Sequence, residues 1–294
     1  MGDLSRGIHL RAFAKVNYTL EVRGIRRDGY HEISTVMQSV SLADEIELTR
    51  AESGFDLRVE PEDVEVGPPE RNTVYGAWRL LRERTGRDLP AKIRLFKKVP
   101  HGAGLGGGSA DAAAALTGLN SLFDLGLRDE ELREIGGQVG ADVPFCIAGG
   151  TSLGEGIGEV LTPLPPPPPH HLVIAKPAAS ADTGEVYHAH DALPFVDSNL
   201  AVPMTTALRS GDLRAFAGAV GNDLAPVTKE LAPEVERLER DLLRLGALGA
   251  AMTGSGTAVY GIFAAEEDAR KAAGRIEAPF VGVFAPVTRA VEIL

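Results

Sequence analysis

Three features of the sequence predict an α+β fold in two domains with a cleft between them. Residues 8 to 23, IHLRAFAKVNYTLEVR, alternate apolar and polar side chains at the period of a strand, long enough for one strand or for two joined by a bulge. A glycine-dense loop, PHGAGLGGGSADAA from Pro100 to Ala113, passes straight into an alanine-rich helical pattern, and a second helical pattern, LRDEELREIGGQVG, follows with no strand between. That order departs from the βαβ alternation of a doubly wound sheet. The 294 residues suffice for two separate cores. The run PLPPPPP from 163 to 169, a stiff polyproline II connector, marks a boundary between domains 1–162 and 163–294.

The glycine loop is the feature around which the chain is organised. Glycine has no Cβ, so such a loop takes positive φ angles and brings backbone N–H groups against a bulky anion. The helix that opens near Ser109 aims its unpaired N–H groups and positive dipole end at the same place. Together they form a phosphate cradle. Gly102, Gly104 and Gly107 satisfy the spacing G-x-G-x-x-G, but three familiar uses of such glycines do not fit. A P-loop requires Gly-Lys-Ser/Thr, whereas Gly108 is followed directly by Ser109. A protein kinase requires HRD and DFG downstream, and neither string occurs. A dinucleotide site requires a second strand ending in an acidic residue about twenty positions on, where this chain has its second helix. A nucleotide-phosphate loop of another type remains.

Composition narrows the partners. With 41 acidic against 30 basic side chains the net charge is -11, which repels nucleic acid and anionic membranes, so neither is expected as a partner. The single Cys146 permits no intramolecular disulfide. The N-terminus, MGDLSRGIHLRAF, lacks an apolar signal core, and Arg6 spoils the myristoylation pattern. No run approaches the 18 or so apolar residues of a membrane helix. A cytoplasmic protein, monomeric or weakly dimeric, is the expectation.

Candidate side chains follow the chain order. Lys15 and Asn17 lie two apart and share a face of the first strand, either as its solvent side or, given small Ala12 and Ala14 beside them, as part of a ligand site. Tyr30 and His31 follow the Asp28-Gly29 turn and offer a flat stacking face next to a donor-acceptor ring, a pairing suited to a nucleobase. Asn72 precedes the helical pattern TVYGAWRLLRERTG and either caps that helix or reaches the nucleotide. Lys97 and Lys98, at the mouth of the loop, are either a solvated strand end or contacts for phosphate or adenine. Asp142, in the apolar segment GADVPF, is either a turn residue or a carboxylate in need of a partner, and Lys15 is the partner nominated. A Lys–Asp pair beside a phosphate cradle is what phosphoryl transfer to an alcohol requires, one group taking the hydroxyl proton and the other neutralising charge. His170 and His171 are expected to face solvent at the start of the strand HHLVIAKP, and no His or Cys spacing supports a metal site. Thr183 and Tyr187 share a face if ADTGEVYHAHD opens a helix. The turn AMTGSGTAVYGIF supplies a second glycine-serine segment that could wall the phosphates.

These residues give the chain its resemblance to the GHMP kinases. Three motifs match in order: the Lys15 strand, the PHGAGLGGGSADAA loop and the MTGSGTAVYGIF turn. The segments AKVNYTLEVRGIRRDGYHEISTVMQSVSLAD, GLGGGSADAAA, GADVPF and KPAASADTGEVY are similar, within that superfamily, to members whose alcohol substrate carries a cytidine diphosphate group. The resemblance implies a two-domain GHMP kinase fold with the active site in the interdomain cleft, the nucleotide in the N-terminal half and the substrate side closed by the C-terminal half. It implies ATP with Mg²⁺ as cofactors, Lys15 and Asp142 as the catalytic pair, and Asp142 as acceptor of the proton of a 2-hydroxyl. It places the ATP phosphates on Pro100, Gly102, Gly104, Leu105, Gly106, Gly107, Gly108, Ser109 and Ala110, with Lys97 nearby. Tyr30 and Tyr187 would sandwich the cytosine, His31 would read its edge, and Asn17 and Thr183 would hold the diphosphate or the alcohol. Ala110 departs from the family, many members of which have Ser there. The alternative is a GHMP-type kinase for another small alcohol such as mevalonate or homoserine, against which the Tyr30-His31 base reader stands; a non-catalytic relative is opposed by the intact Lys15 and Asp142.

Overall fold

The computed structural model describes residues 7–61 and 69–294. The N-terminal residues that bear on a leader, and most of the acidic Pro61–Pro69 loop, lie outside these. The strands are β1 (Gly7–Ile25), β2 (His31–Arg50), β3 (Phe55–Glu60), β4 (Ala91–Phe96), β5 (Thr151–Glu155), β6 (Val160–Pro163), β7 (His171–Lys176), β8 (Gly221–Asn222), β9 (Gly249–Met252), β10 (Val259–Phe263), β11 (Phe280–Phe284) and β12 (Val291–Ile293). The helices are α1 (Thr73–Thr85), α2 (Gly107–Leu122), α3 (Asp129–Val139), α4 (Val143–Ala148), α5 (Thr183–His190), α6 (Ala201–Ser210), α7 (Leu213–Gly218), α8 (Ala225–Leu231), α9 (Glu234–Arg244) and α10 (Glu266–Ala273).

Two sheets carry the molecule. The larger is ordered β12-β1-β2-β4-β3, with β5 and β6 extending from β2 and β8 pairing in parallel with β1; the smaller is ordered β11-β7-β10-β9. β1 is one long strand with register shifts at Phe13/Lys15, Asn17/Thr19 and Val22/Gly24, so both sequence alternatives, continuity and bulging, hold at once. Its inward side chains thread three cores in succession. Leu10 and Ala12 join α1, α2 and β4 in the first, Ala14, Val16 and Tyr18 meet β7 and β10 in the second, and Leu20 and Val22 reach α9 in the third. From Ala14 to Val22 every residue is buried, so the opposite face, with Lys15 and Asn17, is not a solvent face. Alternation breaks there because the strand is covered on both sides.

Helix α2 is the centre of the first core. Ala110, Ala112, Ala113, Ala114 and Ala115 are all buried, which lets the helix lie close on β1 and β2 while α1 and α4 cover it. α1 begins where Asn72 Oδ1 accepts a hydrogen bond from the Val74 N–H at 2.9 Å, so Asn72 is a cap. The chain does not separate cleanly at the proline run. Residues after it build the smaller sheet, yet β12 returns to pair with β1 at Leu10–Ala12, and within PVTRAVEIL only Val291–Ile293 forms a strand of that sheet.

The proline run is anchored rather than free. His170 is only 4% exposed, contrary to the solvent-facing position expected from its place at a strand start. Its Nδ1 donates to the Pro168 carbonyl at 2.7 Å, which leaves Nε2 to accept from the Tyr18 hydroxyl at 3.1 Å. Phe216 packs on both rings. Burial holds the imidazole down at about 4.

The two sheets meet at the glycine loop. The Ala258 N–H donates to the Ala103 carbonyl at 3.1 Å and the Lys15 N–H to the Leu105 carbonyl at 2.9 Å, so the loop is hydrogen-bonded to both sides. Gly104, at φ +73°, lies so close to the Thr253 turn that a Cβ would fall 2.0 Å from the Thr253 carbonyl oxygen.

Two measurements follow. Gly104→Ala combines a left-handed backbone with a backbone clash and is expected to destabilise the fold by at least ~2 kcal/mol, read as a lowered urea midpoint. For His170 the folded state binds its proton less readily than the unfolded chain, so its contribution is intact above pH 6.5 and is lost as pH falls toward 4. The drop over that window is on the order of 3 kcal/mol. In His170→Gln, which cannot take up the proton, the pH dependence of the urea midpoint between 7 and 4.5 should be flatter than in the parent; equal slopes would refute the assignment.

Candidate active site

A cavity of about 640 Å³ opens where the large sheet, the glycine loop and α5 converge. It is lined by Lys15, Asn17, Tyr30, His31, Gly102, Gly104, Gly106, Ser109, Asp142, Thr183 and Tyr187. Residues spread over more than 170 positions of sequence are thereby brought to one place. On the other side of the loop a second cavity of about 290 Å³ is lined by Asn72, Thr73, Lys97, Pro100 and the loop from Gly102 to Ser109. The glycine loop is the wall between the two.

Lys15 is 4% exposed and its stem runs along Gly106, where a Cβ would meet the Lys15 Cγ at 2.9 Å. Gly106, at φ +68°, is thus required both for its backbone angle and for the close approach. The ammonium donates to Asn17 Oδ1 at 2.8 Å and stands 3.2 Å from Asp142 Oδ2. The cation is enclosed while the carboxylate, a third exposed, opens on the cavity. Asp142 precedes α4, with Pro144 in its first turn, and makes no capping hydrogen bond, so its side chain is left for Lys15. Cys146, one turn on, is buried, and burial followed by the Asp142 charge pushes its thiol up, which keeps it inert.

Asn17 is committed to neighbours. Its amide donates to Thr35 Oγ1 at 2.7 Å, its N–H donates to Thr253 Oγ1 at 2.9 Å, and the Thr253 hydroxyl lies 3.2 Å from both Asn17 Oδ1 and the Gly104 carbonyl. Asn17 therefore holds Lys15 as well as lining the cavity. Thr253 was missed as an individual residue, since nothing local to AMTGSG marks it.

The loop presents main-chain donors. The first intrahelical bond of α2 runs from the Ala110 N–H to the Gly106 carbonyl at 2.9 Å, so the N–H groups of Gly107, Gly108 and Ser109 lack helical acceptors and form the positive end of a 16-residue helix. Leu105 and Ala110 point into the core, and the Ala110 N–H is already spent in the helix. Ser109 lines both cavities.

Lys97 is neither a solvated strand end nor a free cation. Its Nζ bridges Asp44 Oδ2 at 2.5 Å and Asp111 Oδ2 at 2.7 Å, with all three side chains buried. Burial pulls the Lys97 ammonium down, but the two carboxylates outweigh it and raise it; burial in turn raises the Asp111 carboxyl, whose Oδ1 has no partner. Lys98 pairs with Glu45 at 2.7 Å on the surface.

On the opposite wall Tyr30 is 61% exposed, while His31 stacks on Tyr187 with centroids 4.6 Å apart at 32°. The aromatic pair present is thus His31 with Tyr187. Burial and then the Asp142 charge raise the Tyr187 phenol, which stays protonated. Thr183 caps the cavity through Ser255, their hydroxyls 2.9 Å apart. His31 Nε2 lies 2.6 Å from Asp191 Oδ1, a residue that sequence reading did not single out.

Against known proteins, residues 72–150 match the model of the GHMP kinases N-terminal domain and residues 204–282 that of the GHMP kinases C-terminal domain. The chain is 46% identical over 265 residues to a 4-diphosphocytidyl-2-C-methyl-D-erythritol kinase of Pelotomaculum thermopropionicum, covering 90% of this chain and 92% of the relative. It is 40% identical over 289 residues to one of Caldanaerobacter subterraneus subsp. tengcongensis, covering 98% and 99%. Among solved structures, a 4-(cytidine 5'-diphospho)-2C-methyl-D-erythritol kinase superposes with a TM-score of 0.77 at 33% identity over 94% of this chain and 99% of that one. A homoserine kinase from Cytophaga hutchinsonii shares the fold, with a TM-score of 0.80 at 20% identity over 100% and 99%. The chain belongs to the GHMP kinases, in the family of the 4-diphosphocytidyl-2-C-methyl-D-erythritol kinases.

Proposed function

We propose that the protein transfers the γ-phosphoryl group of ATP to the 2-hydroxyl of 4-diphosphocytidyl-2-C-methyl-D-erythritol, in the non-mevalonate (methylerythritol phosphate) route to isoprenoid precursors. The observation that carries this reading is one cavity in which a buried lysine holds a half-buried aspartate between a phosphate cradle and an aromatic wall. The substrate follows from the names of relatives at 40% identity and more over most of the chain.

In this reading Asp142 accepts the proton of the 2-hydroxyl and Lys15 holds the carboxylate in place and offsets charge on the transferring group. The transition state is loose, with charge spread over the phosphoryl oxygens, so placement and the N–H donors of Gly107 to Ser109 matter more than base strength. Residues from Pro100 to Ser109 hold the triphosphate through the main chain. Thr183 and Asn17 hold the diphosphate or the erythritol, and Tyr30 closes over the cytosine from the side opposite Tyr187. Mg²⁺ favours a few carboxylate or hydroxyl oxygens plus phosphates and retained water. Ser109 supplies such an oxygen in the same cavity, and the cation's other positions would be filled by phosphate and water. When bound it would neutralise phosphate charge. The division of labour we propose sets residues 1–162 to the nucleotide and 163–294 to closing the substrate side, with β12 crossing between them.

ADP release tests the reading with ATP, Mg²⁺ and either the cytidine substrate, mevalonate, homoserine or galactose as acceptor. Release with the first alone is expected, and Asp142→Asn should lower turnover by about 10² to 10⁴. Release with one of the other alcohols, and none with the first, would overturn the substrate. Tyr30→Ala removes a stacking face worth about 1–3 kcal/mol and should raise the KM for the cytidine substrate while sparing that for ATP. Equal rises in both would reject Tyr30 as a base contact.

A further inference from the structure

Asp191 lies at the end of α5, where its N–H closes the helix on the Tyr187 carbonyl, and its side chain turns back across the cavity to His31. The 2.6 Å separation between Asp191 Oδ1 and His31 Nε2 is short for such a pair. An ionised carboxylate can only accept, so Nε2 carries the proton. In the neutral ring that leaves Nδ1 as a lone-pair acceptor, and Nδ1 makes no hydrogen bond among the described residues. The ring also packs, tilted, on Tyr187, and both rings line the substrate cavity. Two contacts from one helix therefore set the plane of the imidazole and the direction of its polarity.

We infer that Asp191 is a specificity-determining positioning residue: by holding the neutral His31 ring in its Nε2–H form it makes Nδ1 an acceptor, which selects cytosine over uracil in the substrate. The inference rests on the cytidine reading of the site. The 4-amino group of cytosine donates to such an acceptor. Uracil has a carbonyl oxygen in its place, and two lone pairs would face each other with no proton between them. A site built to pair a polar group discriminates more sharply than one that merely fits a shape, because the wrong ligand leaves the site's polar atom unsatisfied. Asn at 191 could either accept from Nε2–H or donate to a bare Nε2, so it would no longer dictate which nitrogen is protonated.

The test compares the parent chain with Asp191→Asn and Asp191→Glu, using CMP and UMP as competitive probes against the cytidine substrate. Long-range ¹H–¹⁵N spectra report the His31 tautomer, with the His31 signals assigned by their loss in His31→Gln. The parent is expected to bind CMP at least about tenfold tighter than UMP, the scale of one well-made hydrogen bond, and to hold His31 in the Nε2–H form. Asp191→Asn should shrink the CMP/UMP ratio by about tenfold, admit the Nδ1–H form, and raise the KM for the cytidine substrate more than it lowers kcat, with the KM for ATP unmoved. Asp191→Glu, which keeps a carboxylate, should restore much of the ratio. An Asp191→Asn protein with parental ratio and tautomer would overturn the inference, as would a parent that does not distinguish CMP from UMP. If Asp191→Asn does not fold, an Nδ1–H form in the parent, or an Asp191→Glu protein that has lost the ratio while keeping the tautomer, would overturn it equally. A parent that phosphorylates the cytidine substrate yet ignores the base would sink this inference alone, whereas no turnover with that substrate would remove the functional reading beneath it.

Discussion

The structure depends on keeping an ammonium group inside a protein core. An unpaired charge there would be too costly, so oxygens must be brought to it. Asn17 Oδ1 and Asp142 Oδ2 do this for Lys15, and each is itself held in place. Asn17 is fixed by Thr35 and Thr253, from β2 and from the turn of the smaller sheet. Asp142 is delivered by the short connection between α3 and α4, which pack on each other and on α2. Removing any one support would loosen the charge pair rather than merely a surface contact.

In the proposed reading the same strand also sets where phosphate lies. Because the Lys15 N–H bonds to Leu105, the lysine and the loop are fixed by one hydrogen bond, and Gly106 must be small for the stem to pass. The loop then offers amide dipoles and a helix terminus instead of free cations. Lys97, three residues before the loop, is turned inward to two carboxylates and braces the strand before it, since Asp44 Oδ1 also accepts the Val99 N–H at 2.8 Å.

Much of this was legible in the sequence where local chemistry decides it. The strand period at residues 8–23, the loop-to-helix passage and the cost of a carboxylate in GADVPF led to β1, α2 and the Lys15–Asp142 pair, two residues 127 positions apart. What escaped rests on tertiary register. Asn72 had two uses open to it, and only the orientation of the Val74 N–H decides for the cap. His170 looked exposed because a strand start after a proline run normally is, and the Tyr18 hydroxyl that buries it lies 152 residues away. Asp191 is one acidic residue in a polar helix end, with nothing in its neighbours to show that it reaches His31. The return of β12 to the first sheet could not be read from PVTRAVEIL, a pattern that suits either sheet.

On the proposed reading, chemistry and selectivity sit on different kinds of structure. In that reading Lys15 and the phosphate loop hang on β1 and are held by its own backbone N–H groups, at Lys15 and Asn17, while Asp142 comes from the connection before α4. The residues proposed to face the base, and the one proposed to orient them, come from the rim of the cavity: Tyr30 in the turn after β1, His31 at the first position of β2, Tyr187 and Asp191 on and after α5. Strand pairing is stiff and tolerates little change, whereas loops on a rigid scaffold vary freely. A homoserine kinase can therefore share the fold at 20% identity, because the cradle asks mainly for backbone geometry and small residues. On the proposed reading, what this chain accepts is set by the few side chains that reach over the cavity from outside β1, the aromatic rings and the carboxylate that orients one of them.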